Sequence, residues 1–167
     1  MDMKNITLIG MPGSGKSTVG VLLAKTVGMG FIDTDLLIQT SSKRLLYKMI
    51  EEDGKDAFIK AEEEAISKLF CANCVIATGG SAVYGEAAME HLREISSVVY
   101  ISVPLRVVKK RLRNIRTRGV VMDKGESIES LYAQRMPLYE KYADVTVGGE
   151  STPEETVEKI IEALNGR

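Results

Sequence analysis

Apolar runs of strand length recur along the chain, with stretches of helical periodicity between them. The runs are "NITLIG" (5–10), "GFID" (30–33), "VIATG" (75–79), "VVYIS" (98–102) and "DVTV" (144–147). This alternation is the pattern of a parallel sheet with crossover helices. Between the runs, "KSTVGVLLAKTVG" and "GKDAFIKAEEEAISKLF" place apolar residues at helical spacing. "PLRVVKKRLRN" carries proline in its first turn, where the missing N–H costs nothing. In "STPEETVEKIIEAL", Ser151 or Thr152 is a candidate cap and Pro153 stands near the first turn, with acidic residues where the helix dipole favours them. The pattern predicts an α/β fold of five strands with helices on both faces.

Two segments interrupt the alternation. Residues 35–71 are helical in pattern nearly throughout, more than one crossover helix requires, so part of this insertion is expected beside the sheet. Residues 114–126, "NIRTRGVVMDKGE", combine glycines and mixed charge without a clear period, which predicts a surface loop of the length that functional lids have.

Composition narrows the picture mainly by exclusion. A chain of 167 residues suits one domain. With 44% apolar and 27% charged residues and a net charge of -1, nothing points to nucleic acid or an anionic membrane as partner. The first apolar run is too short for a signal peptide or a membrane span. Cys71 and Cys74 could suggest a metal pair, but zinc takes about four ligands and His91 is the only other soft donor. They are read as small residues at a helix-to-strand joint of a reduced, cytoplasmic protein.

The chemistry begins at "GMPGSGKST" (10–18). Gly10-(x)4-Gly15-Lys16-Ser17 satisfies the P-loop pattern and lies between a predicted strand and a predicted helix, the context that pattern needs. Backbone N–H groups of such a loop converge on phosphates, aided by the helix N-terminus. Gly13, Ser14, Gly15, Lys16, Ser17 and Thr18 are therefore nucleotide-binding candidates. Lys16 is expected at the β- and γ-phosphates and Ser17 on Mg²⁺.

"FIDTD" places Asp33 and Asp35 at the carboxyl end of a strand, where open α/β sheets bind ligands. Two carboxylates beside a triphosphate need a cation between them. Asp33 is thus assigned to Mg²⁺, and Asp35 to an acceptor hydroxyl as orienter and possible general base. The bland alternative makes Asp35 a helix cap and Asp33 a solvated turn residue. Gly79 and Gly80 in "ATGGSAVYG" permit close backbone approach without a lysine, which suits a substrate contact or a plain turn. Arg111, Arg113, Arg116 and Arg118 cluster at a helix end and in the expected lid. Arg118 is the best-placed catalytic cation, with Arg116 its rival. Arg135 precedes a proline and also reads as a helix-end cation.

In order and spacing, "GMPGSGKSTVG", "FIDTD", "ATGGSAV", "RTRGVV" and "RMPLYEKYAD" resemble the shikimate kinase family across nearly the whole chain. The resemblance implies an adenylate-kinase-like P-loop fold with strand order 2-3-1-4-5. It implies transfer of the ATP γ-phosphate to a ring hydroxyl of shikimate, a step of chorismate and aromatic amino-acid biosynthesis. It places Asp33 near Mg²⁺, Asp35 and Gly80 on the substrate, Arg118 over the phosphates, Arg135 on the substrate carboxylate and Arg111 on adenine, where cation–π stacking is a warrant. The expected partner is a small hydroxylated metabolite, bound by a monomer.

The departures from the family pattern lie in the acceptor half. The family's "GExxFRxxE" reads "GKDAFIKAE" here, with Ile59 in place of an arginine that helps bind the carboxylate. Lys60 is adjacent, but one helical step turns its side chain about 100° away. Ser81 stands for the third glycine of the family's GGG, and its "RPLL" lid is Arg118-Gly119-Val120-Val121. A charged hydrogen bond contributes ~1.5–3 kcal/mol, so losing the arginine without compensation weakens acceptor binding about ten- to a hundredfold. Arg135 alone, or helped by Arg44 or Lys60, is one solution. A kinase of the same fold acting on another hydroxylated metabolite is the alternative, and a non-catalytic nucleotide-binding protein is a third. No Asn-Lys-x-Asp guanine motif occurs.

Overall fold

The computed structural model describes residues 4–112 and 119–166. Arg113, Arg116 and Arg118, with the first part of the expected lid, lie outside the described residues.

The elements follow one another as β1 (Asn5–Ile9), α1 (Lys16–Val27), β2 (Gly30–Asp33), α2 (Thr34–Ser42), α3 (Leu46–Asp53), α4 (Lys55–Ser67) and β3 (Cys74–Ala77). Then come α5 (Glu86–Ile95), β4 (Ser96–Ser102), α6 (Leu105–Arg111), α7 (Ile128–Tyr142), β5 (Val145–Gly148) and α8 (Pro153–Asn165). The five strands form one parallel sheet of order β2-β3-β1-β4-β5, with Thr7 opposite both Ile76 and Val98. The periodicity reading and the strand order implied by the family resemblance agree with this topology.

Because successive strand side chains point to opposite faces, a parallel sheet buries two apolar surfaces. In β4, Val99 and Ile101 join Leu23 of α1 and Ile160 of α8 in one core, while Val98 and Tyr100 join Leu92 of α5, Val108 of α6 and Tyr139 of α7 in the other. A third, smaller cluster unites Ile38 of α2, Leu46 and Met49 of α3, Phe58 of α4 and Val121. This is the part of the helical insertion that lies beside the sheet.

Helix ends follow local chemistry. Thr152, not Ser151, caps α8 by accepting from the Glu155 N–H at 3.2 Å. At α2 the cap is Asp33, whose Oδ1 accepts from the N–H groups of Asp35 and Leu36 at 3.0 and 3.2 Å. The strand therefore stops at Asp33, and Asp35 stands in the first turn of the helix rather than at an alternate strand position. Helix α7 contains Pro137 in its interior and continues to Tyr142, so Arg135 is not at a helix end.

Candidate active site

The loop after β1 is shaped by its glycines. Gly13 and Gly15 sit at φ of 77° and 96°, in the left-handed region that side chains disfavour. This turns the loop over the N-terminus of α1, where orphan N–H groups and the helix dipole favour an anion. Lys16 is buried beneath it, its Nζ donating to the carbonyls of Gly10 at 2.8 Å and Met11 at 2.9 Å. Burial lowers its pKa to about 8, opposed by the nearby charge of Asp35. Ser14 is buried, Ser17 and Thr18 are exposed, and all three line a cleft of about 600 Å³ above the loop.

Ser17 donates its hydroxyl to Asp33 Oδ2 at 2.7 Å. Two hard oxygen donors thus meet at the mouth of the phosphate loop, a set that suits Mg²⁺. Among the described residues no group of three His, Cys, Asp or Glu is placed to hold a metal. Magnesium on a nucleotide does not need one, since phosphate oxygens and water complete its shell.

Asp35 lines the same cleft, and burial raises its carboxyl to about 6, with the charge of Asp33 adding to the rise. Beside it stands Glu62 of α4, only 1% exposed. Ser81 donates to Glu62 Oε2 at 2.5 Å, while Glu62 Oε1 is buried without a hydrogen-bond partner among the described residues. Burial raises Glu62 to about 7, against the lowering effect of the Ser81 bond. Gly79 lies between the two acids, and a Cβ there would stand 2.6 Å from Asp35 Oδ1 and 2.7 Å from Glu62 Oε1. Its N–H already donates to Thr34 Oγ1 at 3.3 Å, so the room it leaves matters more than its backbone donor.

Arg135 is buried to 1% exposure, and none of the ion pairs among the described residues includes it. It donates from Nη2 to the Val121 carbonyl and from Nε to the Tyr84 hydroxyl at 3.3 Å, with its guanidinium 5.2 Å from the Tyr84 ring centre. A Cβ on Gly80 would meet Arg135 Nη1 at 2.9 Å, so this glycine too keeps space beside a charged group. Tyr139 donates to the Gly80 carbonyl at 2.6 Å and fixes that turn to α7. A helix-end cation would be solvated; Arg135 is instead a buried charge aimed into the cleft it lines.

At the far wall, Arg111 bridges the carbonyls of Gly13 at 3.2 Å and Gly149 at 3.3 Å. The cleft thus gathers Gly13, Ser14, Gly15, Lys16, Ser17, Thr18, Asp35, Gly79, Gly80, Arg111 and Arg135, with Asp33 at the hydrogen bond to Ser17. Arg118 cannot be placed among them, because it lies outside the described residues. Sequence reasoning passed over Glu62, Tyr84 and Tyr139. Glu62 closes the "GKDAFIKAE" stretch, and an acid at helical spacing from Phe58 was the one signal for it. Arg44, a candidate helper for Arg135, is tied to Glu52 and Asp53 by bonds of 2.6 Å each.

A parallel sheet of this order, with a phosphate loop after its first strand and a carboxylate and an arginine lining the same cleft, defines a P-loop small-molecule kinase fold. The family model described as shikimate kinase matches residues 12–165. The chain is 37% identical over 167 residues to a shikimate kinase of Nostoc punctiforme, covering 96% of this chain and 90% of that protein. To the shikimate kinase of Aquifex aeolicus it is 34% identical, covering 96% of each. The structure of a shikimate kinase from Acinetobacter baumannii in complex with shikimate superposes with a TM-score of 0.89 at 27% identity, over 98% of this chain and 94% of that one. This chain belongs to the shikimate kinase family.

Proposed function

We propose that the protein transfers the γ-phosphoryl group of ATP to a ring hydroxyl of shikimate, giving shikimate 3-phosphate and ADP on the route to aromatic amino acids. The observation that carries this reading is the buried cation of Arg135, which faces the same cleft as Asp35 and the phosphate loop. An acceptor whose carboxylate rests on Arg135 can present a hydroxyl to Asp35 beside the loop. The likeness to an enzyme whose structure holds shikimate supports it.

The residues divide the work. Backbone N–H groups of residues 13–18 hold the phosphates, and Lys16 exchanges its loop carbonyls for the β- and γ-phosphates. Ser17 and Asp33 would hold Mg²⁺, which when bound neutralises charge on the transferring group. Asp35 accepts the hydrogen bond of the acceptor hydroxyl and takes its proton as the new O–P bond forms and the bond to the ADP oxygen breaks. Gly79 and Gly80 leave room for that hydroxylated ring, and Arg111 forms the wall for adenine. Arg118 is assigned to the transferring phosphoryl group from its place in the expected lid stretch and from the family resemblance. Residues 1–167 serve as one domain, with the helical insertion at about 35–71 and the lid at about 114–126, acting as a cytoplasmic monomer.

One observation favours a second acceptor. Ile59, where the family has arginine, packs against the apolar cluster of Phe58 and Met49 and offers no charge. An acceptor without a carboxylate is the reading that follows from that exchange. ADP release measured with shikimate, and with uncharged polyols and sugar acids in parallel, separates the two. Shikimate-dependent turnover is expected; turnover of another alcohol with none on shikimate would overturn the proposal.

A further inference from the structure

On the shikimate reading, Arg135 meets the acceptor carboxylate with part of its guanidinium already engaged. Its Nε and Nη2 already donate within the protein, to Tyr84 and Val121, which leaves Nη1 facing the Gly80 turn. The side-on fork through Nε and Nη2 is therefore engaged, which leaves the end-on grip through Nη1 and the second Nη2 proton. A second cation would complete the grip, and the obvious ones are engaged elsewhere. Arg44 is tied to Glu52 and Asp53. Arg111 is bound to the carbonyls of Gly13 and Gly149. Lys60 is exposed, one helical step from Ile59.

Lys55 differs from all of these. It lies four residues before Ile59 in α4, hence one turn away on the same helix face. Its ammonium stands 5.9 Å from the centre of the Tyr84 ring, the ring that the Arg135 guanidinium also approaches at 5.2 Å. Two cations thus border one aromatic side chain beside the acceptor wall. The side chain of Lys55 is 21% exposed, while its carboxylate partner Asp123, at 2.9 Å, is 68% exposed. An ion pair with so solvated a partner holds weakly, and a lysine stem is long and flexible enough to change partners. The same stretch that exchanges arginine for Ile59 also has lysine where the family motif has glutamate, so a cation is gained one turn from where one is lost.

We propose that Lys55 is the second carboxylate-binding cation of the acceptor site, and that it exchanges Asp123 for the anionic group of the acceptor. Lys55 thereby restores to α4 the positive charge that Ile59 removes.

The test is steady-state kinetics on the full chain with shikimate and with its methyl ester, which keeps the hydroxyls and lacks the charge. Lys55→Met should raise the shikimate KM about tenfold, the loss of one charged hydrogen bond, while the KM for ATP stays in place. Lys55→Arg should keep most of the affinity, and Ile59→Arg added to Lys55→Met should recover it. The methyl ester should show the same KM with and without Lys55. Asp123→Asn, which frees Lys55, should lower the shikimate KM. A Lys55→Met protein within twofold of the unaltered one, or equally impaired on acid and ester, overturns the inference, as does an Asp123→Asn protein as impaired as Lys55→Met. If the unaltered protein does not turn over shikimate, the shikimate reading falls and takes the inference with it; turnover with an unaffected Lys55→Met removes the inference alone.

Discussion

Asp35 and Glu62 bring carboxyl oxygens to 2.6 and 2.7 Å from a single point, the place where a Cβ on Gly79 would stand. The missing side chain is what allows the buried Glu62 and the half-buried Asp35 to face the same small space. Gly79→Ala is therefore expected to displace one or both carboxyls while leaving the phosphate loop alone. A displacement of about 1 Å can cost ~100-fold in rate. The expected outcome is a fall in kcat of that order with nucleotide affinity retained, measured by ATP titration beside acceptor turnover. An alanine protein with full kcat would show that the space is not used.

Asp35 carries its proton up to about 6, chiefly because it is buried. As a base it works only when ionised, so kcat/KM for the acceptor should rise with pH through about 6 and level off above. Asp35→Asn should lower kcat by ~10²–10⁴-fold, the range for a positioned general base, with nucleotide binding kept. Retained activity in the asparagine protein would remove Asp35 from the proton transfer.

Glu62 gives a stability prediction with a definite sign. Its carboxyl is raised from 4.5 to about 7, so the folded state holds this proton more tightly than the unfolded chain does. That contribution is fully present below about 4.5 and is lost as pH rises through about 7. Glu62→Gln keeps the shape without the charge, so its thermal stability relative to the unaltered protein should improve between pH 5 and pH 8. Since ~1 kcal/mol moves the Tm of a chain this size by about 2–4 °C, the difference is readable by calorimetry. A Tm difference independent of pH would mean that Glu62 stays charged throughout.

Asp33 serves two structures at once, capping α2 through Oδ1 and binding Ser17 through Oδ2. Substitutions should separate the roles. Asparagine caps helices about as well as aspartate, so Asp33→Asn should leave the Tm in place and raise the Mg²⁺ concentration needed for half-maximal rate. Asp33→Ala should raise the Mg²⁺ requirement and also lower the Tm, since it loses ~1 kcal/mol of cap. Equal Mg²⁺ requirements in all three proteins would take Asp33 out of the metal site.

How far the sequence revealed this site follows from where its residues lie. The phosphate loop was legible because the chemistry requires contiguous residues: Gly15, Lys16 and Ser17 must follow a strand and open a helix. Strand order came only from the family resemblance, since apolar runs do not say which neighbour pairs with which. Asp33 and Asp35 stand out in the sequence, but the alternative that makes Asp35 the helix cap fails, because the strand ends at Asp33 and Asp33 itself caps α2. Arg135 was ambiguous because Pro137 suggests a helix end; the helix runs on, and a seeming surface cation is among the most buried side chains. Glu62 meets Ser81, and Lys55 reaches Tyr84, through α4 packing on the turn after β3, a contact between segments that no local pattern encodes.

The helix that carries Phe58, Ile59 and Glu62 rests partly on an apolar cluster with Ile38, Leu46, Met49 and Val121, apart from the two cores that clamp the sheet. Acceptor preference is in this sense mechanically modular. Selection can refashion the helical insertion to admit a differently shaped alcohol without disturbing the strand and the loop on the other side of the cleft.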